Sequence, residues 1–397
     1  MIKLKDNKDC CGCTACASVC THNAISMVVD GNGAILPVTD VKKCVDCTLC
    51  EKVCPILNTP ASHQPQDSFV ALAQDPKIQQ SCSSGGVATV LAKCFIETFG
   101  GVVYGCTGQD CHNIRHIRVD KVWDVSLLKG SKYVQSNLDG IYRQVKKDLR
   151  SDRHVLFIGT PCQISGLRNF LSTSSDRLFC VDFVCHGVPS QQVLSKYINE
   201  LDIKNQPKEI SFRTKRNGKS EFCLQLKDEN LNYIYSGAYG KDLYITGYIY
   251  ALFYRDSCYY CPFAKIERVS DLTIGDFWDR NNEFKIIKNN QHGLSQLLVN
   301  THQGNSLLKL AKKHLSLYPI NLEKLALHSE QLQHPMPRHK NAERFWQEYH
   351  TSGFHVACRN ALEKELRWLK HKKYADAIFA IPCMRSLYFT LKKLLRR

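Results

Sequence analysis

No run of eighteen apolar residues occurs in this 397-residue chain, so no membrane-spanning helix is expected. The opening MIKLKDNKDC turns polar within a few residues and lacks the apolar core of a secretion signal. The expected location is therefore the cytoplasm. No G-x-G-x-x-G follows a strand pattern, and no G-x-x-x-x-G-K-[ST] occurs anywhere. Both absences count against simple nicotinamide dehydrogenase and phosphate-loop ATP chemistry. The formal charge is +16, from 53 Lys+Arg against 37 Asp+Glu. Because no recognition motif interleaves that charge, nucleic acid is not expected as a partner.

Cysteine, by contrast, is abundant, with 21 in the chain. Cytosolic thiols stay reduced, so these suit metal or redox work better than structural disulfides. The densest stretch, CCGCTACASVC, carries Cys10, Cys13, Cys16 and Cys20, and the same beat returns 34 residues later at Cys44, Cys47, Cys50 and Cys54. Both copies read C-x2-C-x2-C-x3-C, and the second ends in Cys54-Pro55. In this bacterial ferredoxin pattern the fourth cysteine of each run serves the other cluster. Two [4Fe–4S] clusters follow, one on Cys10, Cys13, Cys16 and Cys54, the other on Cys44, Cys47, Cys50 and Cys20. Zinc sites use two spaced pairs rather than crossed quartets. Cys11 is left over as a bystander, and Thr21 stands where a proline often follows the fourth cysteine. Between the runs, AISMVVD and AILPVTD flank Gly31-Asn32-Gly33 and predict a hairpin.

A ferredoxin-type domain over 1–58 leaves most of the chain for other work, and 59–67 reads as a Pro- and Gln-rich linker. In SCSSGGVATVLAKCFIETFGG, Ser83 or Ser84 is expected to cap a helix opening at Gly85-Gly86 and ending at Gly100-Gly101. Val87, Val90, Leu91 and Cys94 would form its apolar face, and VVYG a following strand. Such a glycine-rich helix start either binds phosphate or is a tight turn. Lys129 and Lys132 in LLKGSKYVQSNL either hold a diphosphate or are solvated.

HVLFIGTPCQISGLRNFL and LFCVDFVCHGVPSQQVLSKYI each read as strand, small-residue loop and helix, a β-α-β-α unit with parallel strands. Thr160-Pro161 is a helix start that puts Cys162 in the first turn, where the dipole favours a thiolate. Cys185 falls just past the second strand, so both cysteines belong at the carboxyl edge, where α/β sheets bind ligands. With Cys258 and Cys261 they form either a third metal site, such as another [4Fe–4S] cluster, or a redox-active or merely buried set.

In order, SSGGVATVLAKCFIETFGGVVYG, KGSKYVQSNL, VLFIGTPCQISGL, DFVCHGVPS, CYYCPFAKIERVSDLTIGDFW and GLSQLLVNT, behind the double cysteine run, resemble the beta-subunit family of coenzyme F420 hydrogenase/dehydrogenase. The resemblance implies a ferredoxin domain followed by a larger mixed α/β flavin-binding domain, with family regions over 68–145 and 150–320. It implies FAD held near Ser83, Ser84, Gly85, Gly86, Lys129, Ser131, Lys132 and Gln135, and extra cluster ligation among Cys162, Cys185, Cys258 and Cys261. The implied activity passes electrons between clusters and FAD to a deazaflavin or another organic substrate; some members serve surface-polysaccharide assembly. A ferredoxin or other redox protein would be the donor. The alternative is a non-catalytic electron-transfer subunit of a larger complex.

The last part, 335–397, is expected to be a basic helical tail. From Cys358 to Arg397 it carries eleven Lys/Arg against three Asp/Glu. Its helices either rest on an anionic membrane surface or pack on their own domain, and the second reading is favoured.

Overall fold

The computed structural model describes residues 2–216, 219–278 and 293–379. The first 58 residues show the sequence repeat in their backbone. Gly12 and Asp46 take φ of 66° and 52°, and Thr14 and Thr48 take 64° and 60°, so matched positions make the same left-handed turns. Each turn starts a short helix, Ala15–Val19 or Leu49–Lys52, and the two helices pack together. Between them β1 (Ile25–Val29) and β2 (Ile35–Thr39) form the expected hairpin, with Val29 opposite Ile35. The Asp30 carboxylate holds its turn by accepting from the amides of Asn32 and Ala34, at 2.9 and 2.8 Å.

The following strands are β3 (Asp67–Ala73), β4 (Val102–Thr107), β5 (Arg115–Val119), β6 (Val155–Gly159) and β7 (Leu178–Phe183). After them come β8 (Glu209–Arg216), β9 (Lys219–Lys227), β10 (Tyr233–Ala238), β11 (Leu272–Phe277), β12 (Leu294–Val299) and β13 (Leu315–Pro319). Among the described residues one eight-stranded sheet runs β13-β3-β12-β11-β7-β6-β4-β5. Its four inner strands, β11, β7, β6 and β4, are parallel, and the flanking strands pair antiparallel.

Both faces of the parallel centre are covered, as parallel sheets require. Val103, Leu156 and Val181 point to helix Val87–Phe99 and helix His302–Ala311. The alternate residues Tyr104, Phe157 and Cys180 point to helices Ile141–Arg150 and Pro161–Leu171. The period of two that turns adjacent residues to opposite faces thus gives a three-layer α/β/α core.

A second antiparallel sheet, β10-β9-β8, packs with helices Gln191–Asn199 and Leu243–Ile249 into a separate core. The first part of the tail joins it: Phe345, Tyr349, Phe354 and Cys358, from helices Ala342–Ser352 and Phe354–Ala361, are buried there. Helix Glu363–Phe379 follows, and the expected basic helix RSLYFTLKKLLRR lies outside the described residues. Among the described residues no helix is long and apolar enough to cross a membrane. The stretch 59–67 is tied to the large domain, because His63 and Arg268 exchange two backbone hydrogen bonds at 2.8 and 2.9 Å.

Candidate cofactor-binding site

The eight cysteines of the opening repeat divide as the crossed spacing predicts. Cys10, Cys13, Cys16 and Cys54 line one small void, and Cys20, Cys44, Cys47 and Cys50 line another. Burial, then the neighbouring Cys10 thiolate, push the Cys16 thiol up to about 12, with Cys54 and Cys50 adding smaller repulsions. The two sets are therefore neighbours. Among the described residues no three His, Cys, Asp or Glu side chains close on a single-ion site. A cubane instead takes one thiolate at each of four irons, which calls for sulfurs spread around a void. The donor set fits that group.

The β-α-β-α unit folds as read. Its capping box has Gln163 Oε1 accepting from the Thr160 amide at 2.9 Å, and Cys162 sits in the first turn of helix Pro161–Leu171. Cys185 follows β7, so both cysteines stand at the carboxyl edge of adjacent parallel strands. Cys258 and Cys261 reach the same cavity from the turn Asp256–Tyr260 and its end. Burial and the nearby thiolates push Cys185 up to about 12 and Cys261 up to about 11, with Cys162 among the repelling groups for both. These four cysteines, separated by up to a hundred residues, are gathered in one place. The expected thiolate at Cys162 is not what this environment favours. A hydrogen bond with Cys11, then burial, push its thiol well above the ordinary value.

The cavity has a volume of about 310 Å³ and is mostly apolar, with Val87, Val125, Leu128, Ile158 and Phe263 in its walls. Ser83, Ser84, Gly86, Lys129, Ser131, Lys132 and Gln135 also line it. Gly85 does not; it packs behind the wall, where a Cβ would fall 2.5 Å from the Ala71 carbonyl oxygen. The helix cap is Gly86, in a left-handed conformation at φ 82°, in place of the expected Ser83 or Ser84. The serines bind elsewhere: Ser83 Oγ accepts from the Ser131 amide at 2.8 Å, and Ser84 Oγ donates to the Leu294 carbonyl at 2.5 Å. A glycine there frees the loop to bring the 81–86 and 128–135 segments together.

Among the described residues Lys132 donates only to the carbonyls of Leu128 and Lys129, at 3.0 and 2.7 Å, and burial lowers its pKa. A half-buried ammonium lining the same cavity as the start of helix Val87–Phe99 suits an anionic group. The Lys129 ammonium is bonded to Ser81 Oγ at 2.8 Å. The Gln135 amide is already engaged: Nε2 donates to the Cys11 carbonyl at 3.1 Å, and Oε1 accepts from Arg255 at 3.2 Å.

Three residues with no role expected from sequence stand at the site, Cys11 among them as a supposed bystander. Cys11 lines both the first cysteine void and the large cavity, and its thiol meets those of Cys13 and Cys162. Cys82 is buried in the cavity wall, its sulfur 3.3 Å from Thr89 Oγ1. His116, deep in the wall, bonds Ile158 O at 3.0 Å and Ser136 Oγ at 2.9 Å. Cys11 carried a signal in its adjacency to Cys10; the other two carried none.

Fold and site define a mixed α/β protein with a cysteine-lined cavity at the carboxyl edge of a parallel sheet core. Residues 152–323 match the family described as the C terminus of the coenzyme F420 hydrogenase/dehydrogenase beta subunit, a family of redox-enzyme subunits to which that segment is similar. The match begins just before β6 and leaves the N-terminal cysteine repeat outside it. Among solved structures, a chain of the F420-reducing [NiFe] hydrogenase complex from Methanosarcina barkeri is similar at 18% identity and a TM-score of 0.44, over 69% of this chain and 90% of that one. No curated protein matches the chain.

Proposed function

We propose that the chain is an iron–sulfur flavoprotein oxidoreductase that carries electrons between its surface and an organic substrate bound at the cavity. One observation supports this most: the three cysteine sets are continuous. Cys47 is exposed at one end. Its set adjoins the Cys10 set through Cys50 and Cys16, and Cys11 and Ile56 line both the first void and the cavity that holds Cys162. A line of sulfurs from solvent to a largely apolar pocket is what electron delivery to a buried reactant needs.

In this reading Cys10, Cys13, Cys16 and Cys54 hold one [4Fe–4S] cluster, Cys20, Cys44, Cys47 and Cys50 a second, and Cys162, Cys185, Cys258 and Cys261 a third. FAD occupies the cavity. Clusters supply one-electron carriage, and a flavin supplies the exchange between single electrons and a pair. The chain's own residues bind and orient. Lys132 and the first turn of helix Val87–Phe99 face the diphosphate, Gly86 keeps the loop clear of it, and the apolar walls exclude water from the ring. The exposed Cys47 end takes the redox-protein donor, and the substrate is a deazaflavin or another small organic acceptor.

The test is anaerobic purification with iron and sulfide counts and release of bound flavin. Cluster absorption that bleaches on reduction, with FAD released, supports the reading. Clusters without flavin after reconstitution would reduce the chain to a relay, the subunit role that the family description leaves open.

A further inference from the structure

Arg213, Arg255 and Arg268 are the buried arginines of the described core, at 9%, 7% and 1% exposure. Two are neutralised in the ordinary way: Arg213 pairs with Asp276 at 2.7 Å, and Arg268 with Asp182 at 2.9 Å. Arg255 is different. Its Nε donates to the Cys10 carbonyl at 2.6 Å, one terminal nitrogen to Gln135 Oε1 at 3.2 Å, and the other to the Ile35 carbonyl at 2.7 Å. Three of its five N–H donors are bonded, all three partners are neutral, and among the described residues no carboxylate pairs with it. Burying an ion this way is costly unless an opposite charge lies close by.

The surroundings name that charge. Arg255 reaches the loop holding Cys10 and Cys13, and an added Cβ on Gly12 would fall 2.9 Å from its guanidinium. On its own segment it begins the turn Asp256–Tyr260, which carries Cys258, and the Cys258 amide donates to its carbonyl at 2.9 Å. Its cation also acts on Cys162. It thus stands between the first cysteine set and the cavity set. Four thiolates outweigh the positive charge of an iron–sulfide core, so a loaded cluster is an anion. Resting on the cluster assignment above, we infer that Arg255 is the buried counter-ion of the clusters on either side of it, raising their reduction potentials and fastening the N-terminal module to the large domain in the loaded state. Local charge is one of the levers that set such potentials.

The test compares Arg255→Gln and Arg255→Lys in the anaerobically purified full chain, by iron count and by a redox titration followed by electron paramagnetic resonance. The proposal expects Arg255→Gln to lower the potential of at least one cluster, or to lose iron, while Arg255→Lys stays near wild type. Full iron with unchanged potentials in both variants would overturn it. Equal shifts or equal iron loss in both would also overturn it, since the cause would then be the lost hydrogen bonds rather than charge. A wild-type protein that binds no iron would instead sink the cluster assignment.

Discussion

His116 makes the pH dependence of this fold calculable. Its ring is buried and stacks on Phe157 at 5.3 Å. Burial lowers its pKa to about 4, so the folded protein holds it neutral. In that form Nε2–H donates to Ile158 O, and Nδ1 accepts from Ser136 Oγ. Ser136 in turn accepts from Gln163 Nε2 at 2.9 Å, and Gln163 caps the helix that carries Cys162. A second ring proton would break this chain at Nδ1. Between pH 6.5 and 4 the unfolded chain binds a proton there that the folded chain refuses. The contribution is therefore complete above pH 6.5, falls as pH drops, and is fully lost below 4. A shift from 6.5 to about 4, at about 1.4 kcal/mol per unit, amounts to about 3 kcal/mol. The assay is the urea midpoint of wild type and His116→Gln, measured anaerobically at steps from pH 7 to 4. Wild type is expected to lose about 3 kcal/mol more than the variant over that range. Acid effects on the cysteine sites are common to both and cancel. Equal losses would refute the argument.

Gly12→Ala should loosen the first cysteine loop, because φ is 66° and a Cβ would fall 2.6 Å from Gln135 Nε2; a lower iron count with otherwise normal circular dichroism would verify it. Asp182→Asn strands Arg268 in the core and should cost about 3–5 kcal/mol, read as a drop in the urea midpoint. If FAD binds as proposed, Lys132→Met should weaken its retention at least about tenfold, through loss of the half-buried cation assigned to the diphosphate, measured as flavin remaining after dialysis. Cys258→Ser should lower the iron count by about four per chain while sparing the two N-terminal sites.

The parts of this molecule readable in sequence are those with local causes. The 34-residue beat of cysteines, the Gly31-Asn32-Gly33 hairpin and the Thr160-Pro161 helix start are all written within short windows, and each appears as read. The serine caps went astray because the 81–86 loop must turn left-handed at position 86, which glycine does at little cost and serine does not. Convergence is another matter. Cys258 and Cys261 are distant in sequence from Cys162 and Cys185 and join them at one cavity only in the folded chain. Arg255 and Gln135 grip the Cys10–Gly12 loop across 245 and 124 residues of chain. No window holds both ends of such a contact, and the uncompensated charge of Arg255 becomes visible only once its neighbours are known.

In the proposed path, electrons enter at the exposed Cys47 end and reach the cavity along the cysteine sets. Its most direct test is the rate at which a reduced ferredoxin reduces the bound flavin, in wild type and in Cys47→Ser. The substitution lies at the far end of the line and leaves the cavity walls untouched. Full flavin content with many-fold slower reduction in the variant is the predicted result. Flavin reduced equally fast without an intact outer site would contradict the path.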